Sequence, residues 1–422
     1  MTALTRAAAR ELGVEVSVLR CLSDAPPNAA GLREQFYDLD VHGGDGGRDW
    51  SPPAPAQWLT AAALDAATLA RPSQRPLLTS WFEERRRAPD PPDGRDWIRP
   101  GWRDQVSDWL NRELARRGRG TVGRIEQVRV WEFCHVLRLQ AGQAELYLKA
   151  LAAAGAVELA VTRRLAELYP TVMPAIVAVE PERRWLLMDA SPGPALMGLS
   201  DVARWEQAAS ALARLQIDCA DRIPELRALG CPERPLGRLE TEIEALLHDT
   251  GAMMPGDAES LTAGEVQRLR SRRDELLAWC HELADHGVPS SIEHGDLWGE
   301  NVLVGERECV FIDWEDACLS HPFFSAYLLL LSLDHTDALA GVPDARGRIR
   351  RAYLAPWREA GPLADWPSDR IDRAFDVAQR LAALHYAVQF RAGLSRIETS
   401  WEVRGFIPLF LRKLLSSGAL ED

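Results

Sequence analysis

Between Glu293 and Val304 the chain reads EHGDLWGENVLV, and shortly afterwards VFIDWEDA spans 310–317. In the first stretch an imidazole, a carboxylate and an amide follow one another as His294, Asp296 and Asn301, on a loop that runs into a short strand. The second stretch ends a strand on Asp313. The turn residues GERE (305–308) lie between β-like runs at 302–304 and 309–312, so a hairpin is expected there, with Asn301 and Asp313 at the same end of two paired strands. An amide oxygen and a carboxylate so placed can converge on one hard cation. Asp296 then faces the space where that cation holds a phosphate. Phosphoryl transfer needs little more at its centre than a carboxylate to orient and deprotonate the attacking hydroxyl, and Mg2+ to neutralise and align the phosphates. Glu315 and Asp316 could reach the metal through water, or simply solvate the loop.

A second chemical group lies far upstream. Of the 49 basic side chains only Lys149 and Lys413 are lysines. Arginine fills nearly every position that needs positive charge, so a lysine ending the apolar run LYLK (146–149) is set apart as a compact point charge.

Elements must exist to carry these groups. Residues 125–131, 135–140 and 144–149 read as three short antiparallel strands, followed by helical sequence at 157–168 and by strands at 176–179 and 185–188. From 199 to about 286 the pattern is helical, with breaks at 232–235 and 251–257, and it is helical again from 313 to 415. Residues 97–117 predict an amphipathic helix with Trp102, Val106, Trp109, Leu110 and Leu114 on one face. The run RRRAPDPPDGRD (85–96) reads as a linker. Before it lie β-like runs at 14–22 and 34–41, a glycine-rich turn HGGDGGRD (42–49) and an alanine-rich helical stretch at 60–71.

HGDLWGEN followed by IDWED resembles the catalytic and metal-binding loops of the aminoglycoside phosphotransferase and choline kinase-like family of small-molecule kinases, relatives of the protein kinases. The resemblance covers roughly 120–420. It implies an α+β, bilobal, protein-kinase-like fold: a small antiparallel-sheet lobe over 97–190 and a larger helical lobe over 191–422, preceded by an accessory α/β segment over 1–96. By residue, it implies Asp296 as catalytic base, His294 as a brace for its loop, and Asn301 and Asp313 as Mg2+ ligands. Lys149 is implied to contact the α- and β-phosphates of ATP. Glu158 is the candidate ion-pair partner of Lys149, with Glu145 and Glu167 nearby in sequence. The adenine base is implied to lie against the backbone of Met188, Asp189 and Ala190, ahead of the bend SPGP (191–194). One departure is visible: the turn over the phosphates, Trp131 to His135, contains no glycine, so backbone cannot approach phosphate as freely there.

The expected activity is ATP-dependent phosphorylation of a hydroxyl on a small molecule, foremost an aminoglycoside, amino sugar or related metabolite. The alternative is a catalytically silent nucleotide-binding scaffold. A net charge of −13 argues against nucleic-acid binding and suits a cationic or metal-chelated partner. Six acidic residues between 240 and 259 could receive such a substrate, although a solvated helix face explains them equally well. Trp298 or Trp314 could stack on a sugar ring or a cation. The longest greasy run, 323–333, is too short to span a membrane. The seven cysteines form no CxxC pair, and the N-terminus lacks the apolar core of a secretory signal, so a reducing cytoplasm is expected. The first 96 residues faintly resemble the closing half of a Nudix-type fold without its metal-binding box, and a non-catalytic docking or homodimer surface is expected of them.

Overall fold

The computed structural model describes residues 2–24, 34–42, 51–52, 57–69, 71, 74–87, 94–254, 256, 260–306, 308–394 and 401–417. Most of the glycine-rich turn at 42–49, the middle of the 85–96 run and part of the 251–257 break lie outside the described residues. The chain divides into two compact units, Met1–Leu159 with Ile176–Ala190, and Ala160–Ala175 with Ser191–Asp422.

The first unit holds strands β1 (Glu15–Asp24), β2 (Gln35–His42), β3 (Val122–Val130), β4 (Cys134–Ala141), β5 (Ala144–Leu151), β6 (Ile176–Glu180) and β7 (Trp185–Asp189). β3 to β7 form one antiparallel sheet in the order β3-β4-β5-β7-β6. Strand periodicity divides β5 between two faces. Leu146, Leu148 and Ala150 join Leu137, Leu139, Trp185 and Leu187 in a core closed by the helix Trp102–Arg116, whose five predicted apolar residues are all buried in it. Lys149, between two of them in sequence, therefore points to the other face, level with its register partners Val136 and Leu186.

β1 and β2 form a separate hairpin, tied to β3 by the side chain of Gln127. The buried amide of Gln127 accepts from the Val18 N–H (2.9 Å) and donates to the Val18 carbonyl (2.6 Å), as the peptide group of a neighbouring strand would. Its second hydrogen goes to His135 Nε2 at 2.9 Å. The alanine-rich stretch at 60–71 is not the helix its composition predicts. Among the described residues there, a 3-10 turn, Ala61–Ala63, forms in its place, because Arg75 takes the following carbonyls of Leu64 and Ala67. The helix comes later, at Arg75–Arg87, and runs into the stretch read as linker.

The second unit is helical, with β8 (Ser291–Glu293), β9 (Val302–Val304), β10 (Cys309–Phe311) and β11 (Cys318–Ser320) as two antiparallel pairs, β8 with β11 and β9 with β10. The buried Gln216 on the helix Val202–Ala220 donates to the carbonyls of Ile292 and Pro322 and accepts from the Tyr353 hydroxyl at 2.6 Å, so β8 is tied to two helices at once. The greasy run around 325–331 is a short buried helix, Ser325–Leu331. No helix among the described residues is long and apolar enough to cross a membrane.

His135 is fully buried between Gln127 and the ring of Trp102, and burial pushes its pKa down from 6.5 to about 3. The folded protein thus keeps it neutral, whereas the unfolded chain takes up a proton as pH falls below 6.5. Stability is therefore lost as pH falls through that window, by about 1.4 kcal/mol per pH unit for one such group. In His135→Gln, which keeps an acceptor for Gln127, the slope of unfolding free energy against pH between about 6 and 4 should decrease by about that amount. Urea titrations across the range measure it, and an unchanged slope would refute the assignment.

Candidate active site

The 294–301 loop leaves β8 at Glu293 and closes on itself. His294 is buried, with Nε2 3.0 Å from the Ile312 carbonyl, so that Nε2–H donates there and Nδ1 accepts from the Asp296 N–H at 3.3 Å. The imidazole also packs against the buried ring of Trp314, 4.5 Å between centroids. Gly295 has φ +80°, and a Cβ there would lie 2.2 Å from the Asp316 carbonyl oxygen, so the second position of HGD admits no side chain.

Asn301 faces back across the loop. Its Nδ2 donates to the Asp296 carbonyl (2.7 Å) and to the carboxylate oxygen Oδ2 (3.0 Å). Those bonds turn the amide nitrogen towards Asp296 and orient the Asp296 carboxylate. β9 and β10 pair in the register Val302↔Phe311, and the Ile312 N–H donates to the Asn301 carbonyl at 3.0 Å. Asp313 is the first residue beyond that last bond, and it has φ +67°. A non-glycine residue in the left-handed region stores on the order of 1 kcal/mol or more of strain, which surrounding structure must hold in place. Two oxygen donors, one amide and one carboxylate, thus end the hairpin, a set that fits Mg2+.

In the first unit, Lys149 Nζ lies 2.7 Å from Glu158 Oε1, in the first turn of the helix Ala156–Leu168, and both side chains are almost wholly buried. Among the three candidate glutamates, Glu158 is the one in contact. The glycine-free turn is closed by the Trp131 N–H on the Cys134 carbonyl at 2.9 Å, with the Arg129 guanidinium over the Trp131 ring. At the connector after β7, the Ala190 N–H is already committed to the Glu145 carbonyl at 3.0 Å, and the Asp189 carboxylate is paired with Arg119. Trp298 is half-buried, edge-on to His335, while Trp314 is core.

The sequence model of the phosphotransferase enzyme family matches residues 136–370, more than half of the chain, and takes in Lys149, Glu158, Asp296, Asn301 and Asp313. The chain belongs to that family. Comparison with curated proteins gives no match. Among solved structures, choline kinase from Cryptosporidium parvum is similar at 12% identity with a TM-score of 0.54, covering 75% of this chain and 98% of that one. Ethanolamine kinase from Plasmodium vivax is 13% identical with a TM-score of 0.51, covering 75% and 85%. An aminoglycoside 3'-phosphotransferase of type VIII is 25% identical over 64% of this chain and 98% of that chain, with a TM-score of 0.38. The fold of this family member is protein-kinase-like, an antiparallel sheet followed by a mostly helical remainder.

Sequence reasoning passed over the groups behind the loop. Glu293 and Gln389 are buried and Arg234 reaches in from a loop; the only signal for them was an acidic residue at the end of the short buried strand SIE.

Truncating one partner of a buried ion pair leaves an uncompensated charge, at a cost of about 3–5 kcal/mol, whereas replacing both by apolar groups is often close to neutral. Lys149→Met should therefore destabilise the protein more than the double variant Lys149→Met/Glu158→Leu does. Chemical denaturation of the three proteins checks this, and a double variant no more stable than the single one would show that the pair is not desolvated.

Proposed function

We propose that this protein transfers the γ-phosphoryl group of ATP to a hydroxyl of a small molecule. The reading rests chiefly on one observation in a member of a phosphotransferase family: a carboxylate, Asp296, aimed by the amide of Asn301. In the proposed reaction the acceptor oxygen attacks the γ-phosphorus while its proton passes to Asp296. The bond between the γ-phosphorus and the β,γ-bridging oxygen breaks, and ADP leaves with that electron pair.

Asn301 and Asp313 would hold Mg2+, which when bound neutralises the phosphate charge. Lys149 offers its ammonium to the α- and β-phosphates, and Glu158 restrains the side chain in one rotamer. His294, with both ring nitrogens occupied, braces the loop and takes no part in proton transfer. The base is read by those peptide groups of Met188, Asp189 and Ala190 that the sheet leaves uncommitted. We further infer an amino alcohol or amino sugar as acceptor. The net charge of −13 favours a cationic amine beside the reacting hydroxyl, and a choline kinase and an ethanolamine kinase are among the solved structures whose fold it shares.

Asp296→Asn should lower turnover by about 10^2 to 10^4-fold while leaving ATP affinity nearly unchanged, the range for loss of a general base. Asp313→Ala should be at least as harmful, and chelation of divalent cations should stop the reaction. The measurement is Mg2+-dependent ADP release with a panel of amino alcohols, amino sugars and aminoglycosides. ATP binding with no acceptor-dependent release on any of them would leave the silent scaffold as the better description.

A further inference from the structure

Immediately before the loop, β8 ends on a carboxylate that water does not reach. Glu293 is fully buried, with Oε2 2.9 Å from His385 Nε2 and 3.2 Å from Cys318 Sγ, the latter directly across the β8–β11 pair. Burial pushes its pKa up, but His385, the Cys318 hydrogen bond and the Arg234 guanidinium outweigh that and hold it below the usual carboxylate range. Arg234 donates to Gln389 Oε1 at 2.5 Å and lies 3.7 Å from Cys318 Sγ. Gln389 Nε2 in turn donates to the Gly295 carbonyl at 3.2 Å. His385 and Gln389 stand one turn apart on the helix Ser368–Leu394, so they share one face of it. One side chain therefore grips the residue before His294 and the other the residue after it.

Glutamate, cysteine and histidine together could also suggest a metal. Ligands about 2.0–2.3 Å from tetrahedral zinc stand roughly 3.3 Å (N and O) to 3.5 Å (S and O) apart. The contacts here are shorter, 2.9 and 3.2 Å: the Cys318 thiol donates to Glu293 Oε2, and His385 Nε2 approaches the same oxygen as a charge contact without hydrogen-bond geometry. The guanidinium already supplies a positive charge to match Glu293.

We propose that Glu293, His385, Arg234 and Gln389 form a positioning network that fixes the 294–296 loop, and with it the aim of Asp296, from the side opposite the reacting groups. This rests on the phosphotransfer reading only for its effect on rate; its effect on the loop stands apart. Gly295 makes the loop sensitive to such control: at φ +80° with the Asp316 carbonyl behind it, its own carbonyl must be held by a donor from elsewhere, and Gln389 is that donor.

The test is hydrogen–deuterium exchange on the full-length chain, wild type against Gln389→Met, with Glu293→Gln as a second variant that keeps shape and removes the charge. Exchange in the peptide over 294–301 should quicken about 10-fold in Gln389→Met, while peptides from 202–220 and 368–384 stay unchanged, because local opening is being read. Acceptor-dependent turnover should fall about 10-fold at an unchanged KM for ATP. Unchanged exchange at 294–301, or an increase spread evenly over the whole helical unit, overturns the proposal whatever the turnover. Unchanged turnover in Gln389→Met beside an Asp296→Asn variant that has lost it also overturns the proposal. Full turnover in Asp296→Asn instead sinks the phosphotransfer reading and leaves the exchange result to decide the network.

Discussion

A loop without regular secondary structure, buried along much of its length, must find a partner for every peptide N–H and C=O it takes out of water. The 294–301 loop is governed by that requirement. The His294 N–H goes to Ser325 Oγ, that of Asp296 to His294 Nδ1, that of Trp298 to the Asp296 carbonyl, that of Gly299 to Ser332 Oγ and that of Asn301 to the Trp298 carbonyl. Carbonyls are served by Asn301 and Gln389. Two of the residues that meet these needs, His294 and Asn301, belong to the same motif as the Asp296 carboxylate. Much of what looks like chemistry in HGDxxxxN is therefore also the internal wiring that lets a short loop stay in one conformation.

That dual use explains what could be read in advance. The motif is local: His294, Asp296 and Asn301 lie within eight positions, and the turn residues after them imply the hairpin that sets Asn301 and Asp313 at one end of two paired strands. The sheet was equally legible, because antiparallel strands joined by short turns need only a period of two and a few turn residues. Lys149 and Glu158 could be paired since one helix turn after a strand limits which glutamate can reach back. The network behind the loop was not legible. Arg234, Glu293, His385 and Gln389 are scattered over some 150 positions, and each in isolation reads as an ordinary polar residue; only the packing of β8 against the helix Ser368–Leu394 unites them.

The misreading at 60–71 has a different origin. Alanine-rich sequence has high helix propensity, yet propensity is a weak bias of tenths of a kcal/mol per residue. Arg75 captures two carbonyls that a continuing helix would need, so the turn prevails. Composition was a poor guide where one side chain redirected the backbone.

The seam between the N-terminal hairpin and the five-stranded sheet carries a further implication. A backbone ladder repeats its bonds at every second residue and is indifferent to which side chains flank it. Here an amide of β3, Gln127, imitates a peptide on the end of two methylenes. Such a graft is written in a single codon. Replacing that one side chain would cut two hydrogen bonds between the hairpin and β3 while leaving the backbone ladder of the sheet beneath it untouched.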